Sequence, residues 1–133
     1  MPGTVNHNTT TLAFLGDSVY EVYVRERVMA SGETHADNLH KMAVRYVSAE
    51  GQAKAVKALM EGELTEDELS LVKRARNHKA SSSKRTKASR KGSDIITDKL
   101  ATAFEALIGW LYLNEKNDRL EDLILRSFEI IES

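Results

Sequence analysis

The sequence predicts an all-α, single-domain protein of about six helices. Apolar residues recur at helical spacing nearly everywhere, and no stretch alternates with a two-residue period. The only proline stands at position 2, which leaves the interior without a helix breaker. A length of 133 residues, with 41% apolar and 29% charged side chains, fits one core-forming domain over residues 1–133.

Each element has its own signal. The first helix runs from Thr10 or Thr11 to about Ala30, with Leu12, Leu15, Val19, Val22 and Tyr23 at helical spacing and Ser31-Gly32 as a stop. A second spans Ala36 to Val47 and turns Leu39, Met42, Ala43 and Tyr46 inward. Ser48 caps a third, which carries Ala55, Val56, Leu59 and Met60 to about Glu61 and stops at Gly62. Thr65-Glu66-Asp67-Glu68 is a capping box, and Leu64 with Leu69 has the spacing of a hydrophobic staple. A fourth helix therefore starts at Glu66 and fades near Asn77. Residues 80–93 (ASSSKRTKASRKGS) are Ser-rich and basic with no apolar anchor, as in a surface loop. A long apolar helix follows from about Asp98 to Leu113. Asp118 caps the last, whose buried stripe is Leu120, Leu123, Ile124, Phe128 and Ile131.

Composition narrows the chemistry. Without cysteine there is no disulfide framework, thiol catalysis or Cys-ligated zinc, and a reducing cytoplasm is the expected setting. The start, Met1-Pro2-Gly3-Thr4-Val5-Asn6-His7, lacks the basic and apolar regions expected of a signal peptide, and no apolar run is long enough to span a membrane. The net charge of −1 hides an asymmetry. Between Lys73 and Lys91 lie nine Lys or Arg residues and no acid, which leaves ten cations against all 20 acidic residues elsewhere. An acidic body with one concentrated basic segment suits a polyanion met at one place. The bland alternative is a solvated loop.

Two carboxylates stand in apolar surroundings. Glu105 lies in ATAFEALIGWLYL, sharing a face with Ala101, Thr102, Ile108 and Gly109; Asp17 lies in LAFLGDSVYE, between Ala13, Phe14, Tyr20 and Glu21. Such acids are costly unless paired or bound to a metal. The structural alternative is a salt bridge, for example to Arg25 or Lys99. Gly16 and Gly109 each sit inside a helix, where Gly costs about 1 kcal/mol relative to Ala, and close helix approach is the expected return. His40 has no second His one turn away and is a packed or surface histidine; His35 does not share its face. Ser81-Ser82-Ser83 has no His–acid partner and is a linker rather than a nucleophile.

Together the two acidic segments carry a resemblance. LAFLGDSVYE resembles the signature helix of the ribonuclease III family, and AFEALIGWLYL resembles its second catalytic helix. The Tyr20-Glu21 pair, the stretches LHKMAVRYVSA (39–49) and KRARNHK (73–79), and the lack of a double-stranded-RNA-binding domain are similar to the Mini-ribonuclease III subgroup. The resemblance runs from about Leu12 to Leu113. It implies that Asp17 is the signature aspartate and Glu105 the metal-binding glutamate, the two acting as the catalytic pair. Larger family members carry a further Glu four residues before the Asp and an Asp three residues before the Glu. Here those positions are Ala13 and Thr102, which leaves the metal count open. Asp94, Asp98 or Glu21 is a candidate for an outer ligand, reaching the metal through a bound water.

By the same resemblance the cofactor is Mg²⁺, with Mn²⁺ as a substitute, and no nucleotide cofactor is involved. The partner is double-stranded RNA, in this family precursor large-subunit (23S) ribosomal RNA, cut to 5′-phosphate and 3′-hydroxyl ends. Two chains form a two-fold homodimer through Leu15, Val19 and Val22 of the first helix and part of the second catalytic helix. Arg74, Arg76, Lys79, Lys84, Arg85 and Lys87 contact RNA. Two rivals remain: a catalytically silent RNA-binding or ribosome-associated relative, favoured by Ala13 and Thr102, and a helical protein-interaction module.

Overall fold

The computed structural model describes residues 7–78 and 92–133. Among the described residues there are six helices and no strand: α1 (Thr9–Met29), α2 (Ala36–Val47), α3 (Ala49–Leu59), α4 (Glu66–Asn77), α5 (Gly92–Leu113) and α6 (Asn117–Glu132). The all-α architecture of about six helices expected from the sequence is the one observed among the described residues.

The most apolar helix takes the centre. From Leu100 to Leu111, α5 is buried nearly all round, and α1, α3, α4 and α6 pack against it. Phe104, Leu107, Ile108 and Leu111 meet Tyr20 of α1, Val56 and Leu59 of α3, Val72 of α4 and Ile124 of α6 in one core. Fully burying each such side chain stabilises by about 1.5–3 kcal/mol. Tyr20 meets Phe104 edge to face at 4.8 Å and donates its hydroxyl to the Tyr46 carbonyl at 3.0 Å, so even its polar end is satisfied.

Capping follows the sequence closely. Asn8 Oδ1 accepts from the Thr11 N–H at 2.8 Å, and Ser48 Oγ accepts from the Gly51 N–H at 3.1 Å. At α4 both halves of the capping box form: Thr65 Oγ1 accepts from the Glu68 N–H at 3.2 Å, and Glu68 Oε1 accepts from the Thr65 N–H at 2.9 Å. Glu68 is only 3% exposed because Arg119 of α6 forks onto both its oxygens, at 2.7 and 2.9 Å.

Three findings refine the expectations. The buried face of α1 is Leu12, Ala13, Gly16, Tyr20, Val24 and Val28, which keeps Leu12 in the core and leaves Leu15, Val19 and Val22, the residues expected to pair two chains, off that face. Val19 and Tyr23 flank it half-buried, while Val22 is 56% and Phe14 81% exposed. The reason is the closeness of α5, which admits only small residues at the crossing and turns the bulkier ones away. Secondly, α5 begins at Gly92 rather than near Asp98, so two of the residues assigned to the 80–93 loop are helical. Asp94 then falls in the first turn, where a carboxylate is favoured by the helix dipole. Thirdly, Asp118 does not cap α6. The cap is Lys116, without a side-chain hydrogen bond, after Glu115 makes a left-handed turn at φ 57°; Asp118 lies one residue inside the helix.

Candidate active site

The site is made by one helix crossing. Gly16 of α1 lies directly on the Glu105 carbonyl of α5, and Gly109 lies directly on the Leu12 carbonyl. A Cβ at either glycine would collide with that backbone oxygen. The arrangement is reciprocal, with residues 12 and 16 on one helix against 105 and 109 on the other, each pair one turn apart. Asp17 follows Gly16 directly, so the contact that removes two side chains brings two carboxyl groups together. The expectation that Gly16 and Gly109 serve close helix approach is met.

Glu105 is half-buried at this crossing, within hydrogen-bonding reach of Asp17. Burial foremost, then the Asp17 charge and hydrogen bond, push its carboxyl up to about 8; the Gln52 amide acts in the opposite direction. Gln52 Nε2 donates to Glu105 Oε2 at 3.4 Å from the first turns of α3. Asp17 is exposed, which corrects the expectation that both acids sit in apolar surroundings. Its flanking apolar residues point elsewhere: Phe14 to solvent, Tyr20 to the core.

The salt-bridge alternative does not form as drawn. Arg25 pairs with Glu21 at 3.7 Å on the surface, and Glu105 faces Asp17 and Gln52. Among the described residues no group of three or more His, Asp or Glu side chains is placed to hold a metal ion. Asp94, Asp98 and Glu21 therefore do not complete a cluster with Asp17 and Glu105. Ala13 is buried at 6% and Thr102 is half-buried.

Sequence reasoning missed Gln52. Its signal was a polar residue on the apolar face of α3, flanked by Gly51 and Ala53, and it is 2% exposed. Of the residues expected to contact RNA, Arg74 is exposed and Arg76 half-buried in the last turns of α4, with Arg76 Nε donating to Asn77 Oδ1 at 3.2 Å. Lys79, Lys84, Arg85 and Lys87 lie outside the described residues.

The sequence profile of the Ribonuclease III domain matches residues 10–116, which include every residue of the crossing. The chain belongs to the ribonuclease III family. It is 46% identical over 125 residues to Mini-ribonuclease 3 of Brevibacillus brevis, covering 94% of this chain and 88% of that one. It is 43% identical to Mini-ribonuclease 3 of Enterococcus faecalis, covering 88% and 85%. A crystal structure of a Fusobacterium nucleatum protein superposes with a TM-score of 0.77 at 27% identity, over 93% of both chains. Within the family the chain groups with Mini-ribonuclease III, whose members are endoribonucleases, and the family acts on double-stranded RNA. Among the described residues no helix is long and apolar enough to cross a membrane.

The donor set suits a divalent cation. Two neighbouring carboxyl groups, one with its pKa pushed up to about 8 by burial and by the other's charge, would be relieved of that strain by a divalent cation held on Asp17 and Glu105. Mg²⁺ keeps several waters and takes one or two protein carboxylates, which matches a two-acid site.

Proposed function

We propose that this chain is a Mg²⁺-dependent endonuclease that cleaves double-stranded RNA, with Asp17 and Glu105 as the metal-holding catalytic pair and Mn²⁺ as a workable substitute. The observation that carries the reading is the glycine crossing, which places two acids against each other at a cost in helix propensity that no structural ion pair needs. Bound there, a divalent cation supplies charge stabilisation for the scissile phosphate and a lowered pKa for the attacking water. Asp17, exposed at the surface, is the group an RNA backbone can approach; Glu105 is half-buried and accepts a hydrogen bond from Gln52. No Ser, Cys or His nucleophile is required. The products carry 5′-phosphate and 3′-hydroxyl ends.

Each chain offers one Asp17–Glu105 pair, whereas cutting both strands of a duplex takes two sites of opposite polarity. We infer a two-fold homodimer, supported by the apolar surface that α1 leaves open at Phe14, Leu15 and Val22. The basic run from Lys73 to Lys91, with Arg74, Arg76, Lys79, Lys84, Arg85 and Lys87, supplies phosphate contacts. Trimming of precursor 23S ribosomal RNA in the cytoplasm is the biological task that the family membership favours.

A catalytically silent RNA-binding protein is the second reading, favoured by Ala13 and Thr102 at positions where larger relatives carry acids. Incubating the protein with a labelled RNA duplex, in Mg²⁺ and in chelator, decides between them. Metal-dependent strand cleavage supports the enzyme; binding without cleavage at any Mg²⁺ or Mn²⁺ concentration overturns it.

A further inference from the structure

Gln52 is the one polar side chain of α3 that is buried outright, at 2% exposure, and it is aimed at the crossing of α1 and α5. Its place is fixed from below. The Gln52 N–H donates to the Ser48 carbonyl at 3.0 Å, and the neighbouring Gly51 N–H donates to Ser48 Oγ at 3.1 Å. Gly51 itself lies directly on the Arg45 carbonyl, so a Cβ there would collide with the end of α2. The first turn of α3 is therefore locked to α2, and a side chain of this length delivers its amide to Glu105 Oε2 at 3.4 Å. Among the described residues no buried side-chain nitrogen or oxygen is without a partner, so the amide is not a polar group stranded in the core.

Resting on the metal-dependent reading above, we infer that Gln52 is a positioning residue: its amide holds the Glu105 carboxylate against α3 so that the carboxylate meets Asp17 in one fixed orientation, ready for a divalent cation. The chemistry of the amide suits that task. An N–H donor ties down one carboxylate oxygen without bringing charge. A Lys or Arg in its place would compete with the cation for Glu105, and an apolar residue would leave the half-buried carboxylate free to rotate. With only two acids in the site, a rotated Glu105 removes half of the donor set.

The test compares Gln52→Met, which keeps length and burial without the N–H, and Gln52→Asn, which keeps the amide but draws it back by one methylene. The readout is metal binding in the RNA-free protein, taken as the Mg²⁺ concentration giving half of the metal-induced rise in melting temperature. That concentration is expected to increase about tenfold in both variants, within the range for losing a hydrogen bond to a metal ligand. The Mg²⁺ needed for half-maximal duplex cleavage should rise in parallel, with the KM for RNA unchanged. If Gln52 serves packing alone, the melting temperature without metal falls while half-saturating Mg²⁺ stays the same; that result overturns the inference. Should the Met variant fail to fold, the Asn variant decides. Asp17→Asn and Glu105→Gln in the same titration separate the two levels. If these abolish the metal-induced rise and the Gln52 variants do not shift it, the positioning role alone falls. A parent protein with no metal-induced rise overturns the proposed function as well.

Discussion

At the scale of the residue, Asp17 and Glu105 differ more than their matching chemistry suggests. One is exposed and the other half-buried, so their substitution should read differently. Either Asp17→Asn or Glu105→Gln should reduce cleavage of a labelled duplex by orders of magnitude while duplex binding in Ca²⁺ largely survives; near-normal cleavage by either removes that residue from the catalytic pair. Stability should move the other way for Glu105. Its carboxyl is raised from an ordinary value near 4.5 to about 8, so between those values the folded state holds a proton that the unfolded chain has released. Stability of the metal-free protein therefore falls as pH rises through that window. Glu105→Gln should abolish this slope and melt higher than the parent at pH 8.5, whereas a structural salt bridge predicts a lower melting temperature. Mg²⁺ competes with the same proton, so its uptake near pH 7 should release protons, measurable by calorimetry in buffers of different ionisation heat.

Among the elements, the α1–α5 crossing carries the sharpest prediction. In an isolated helix Gly→Ala gains about 1 kcal/mol. Here the added methyl of Gly16→Ala or Gly109→Ala meets a backbone oxygen, and overpacking of that kind should destabilise by about 2–3 kcal/mol. Urea unfolding gives the sign directly, and a stabilised variant would contradict the close approach. The α4–α6 joint makes a second case. Arg119→Ala leaves Glu68 buried without its cation and should cost about 3 kcal/mol, while cleavage at low temperature should persist because neither residue belongs to the proposed Asp17–Glu105 pair.

For the whole molecule, the predictions concern assembly and RNA. Sedimentation at the concentrations where duplexes are cut should give a dimer, and Phe14→Asp, at 81% exposure in the single chain, should shift it toward monomer without unfolding it. A monomer that still cuts both strands would defeat the two-fold reading. Replacing Lys84, Arg85 and Lys87 by Ala should flatten the slope of log affinity against log salt by a few units per dimer, since each neutralised phosphate contributes about one. An unaltered slope would withdraw that segment as the RNA contact.

Much of this was legible in the chain itself. The six helices, the Thr65–Glu68 capping box, the α6 stripe and the Asp17 and Glu105 candidates follow from local signals, because periodicity, capping and turn chemistry act within a few residues. The central burial of α5 was implied by a helix apolar on every side. What the sequence left open depended on which helix lies against which. The inward face of α1 was legible only in part, because hydrophobicity points to large residues such as Leu12, whereas the crossing with α5 also selects Gly16, Ala13 and Gly109 for their absence of bulk. Asp17 came out exposed for the same reason, since the bulky neighbours that made its surroundings look apolar turn toward solvent and core instead. Gln52 could not be assigned at all, because it is 53 residues distant from Glu105 and only the packing of α3 on α5 makes them neighbours. Local propensity determined the helices and named the acids; the close approach of two glycines decided that those acids meet.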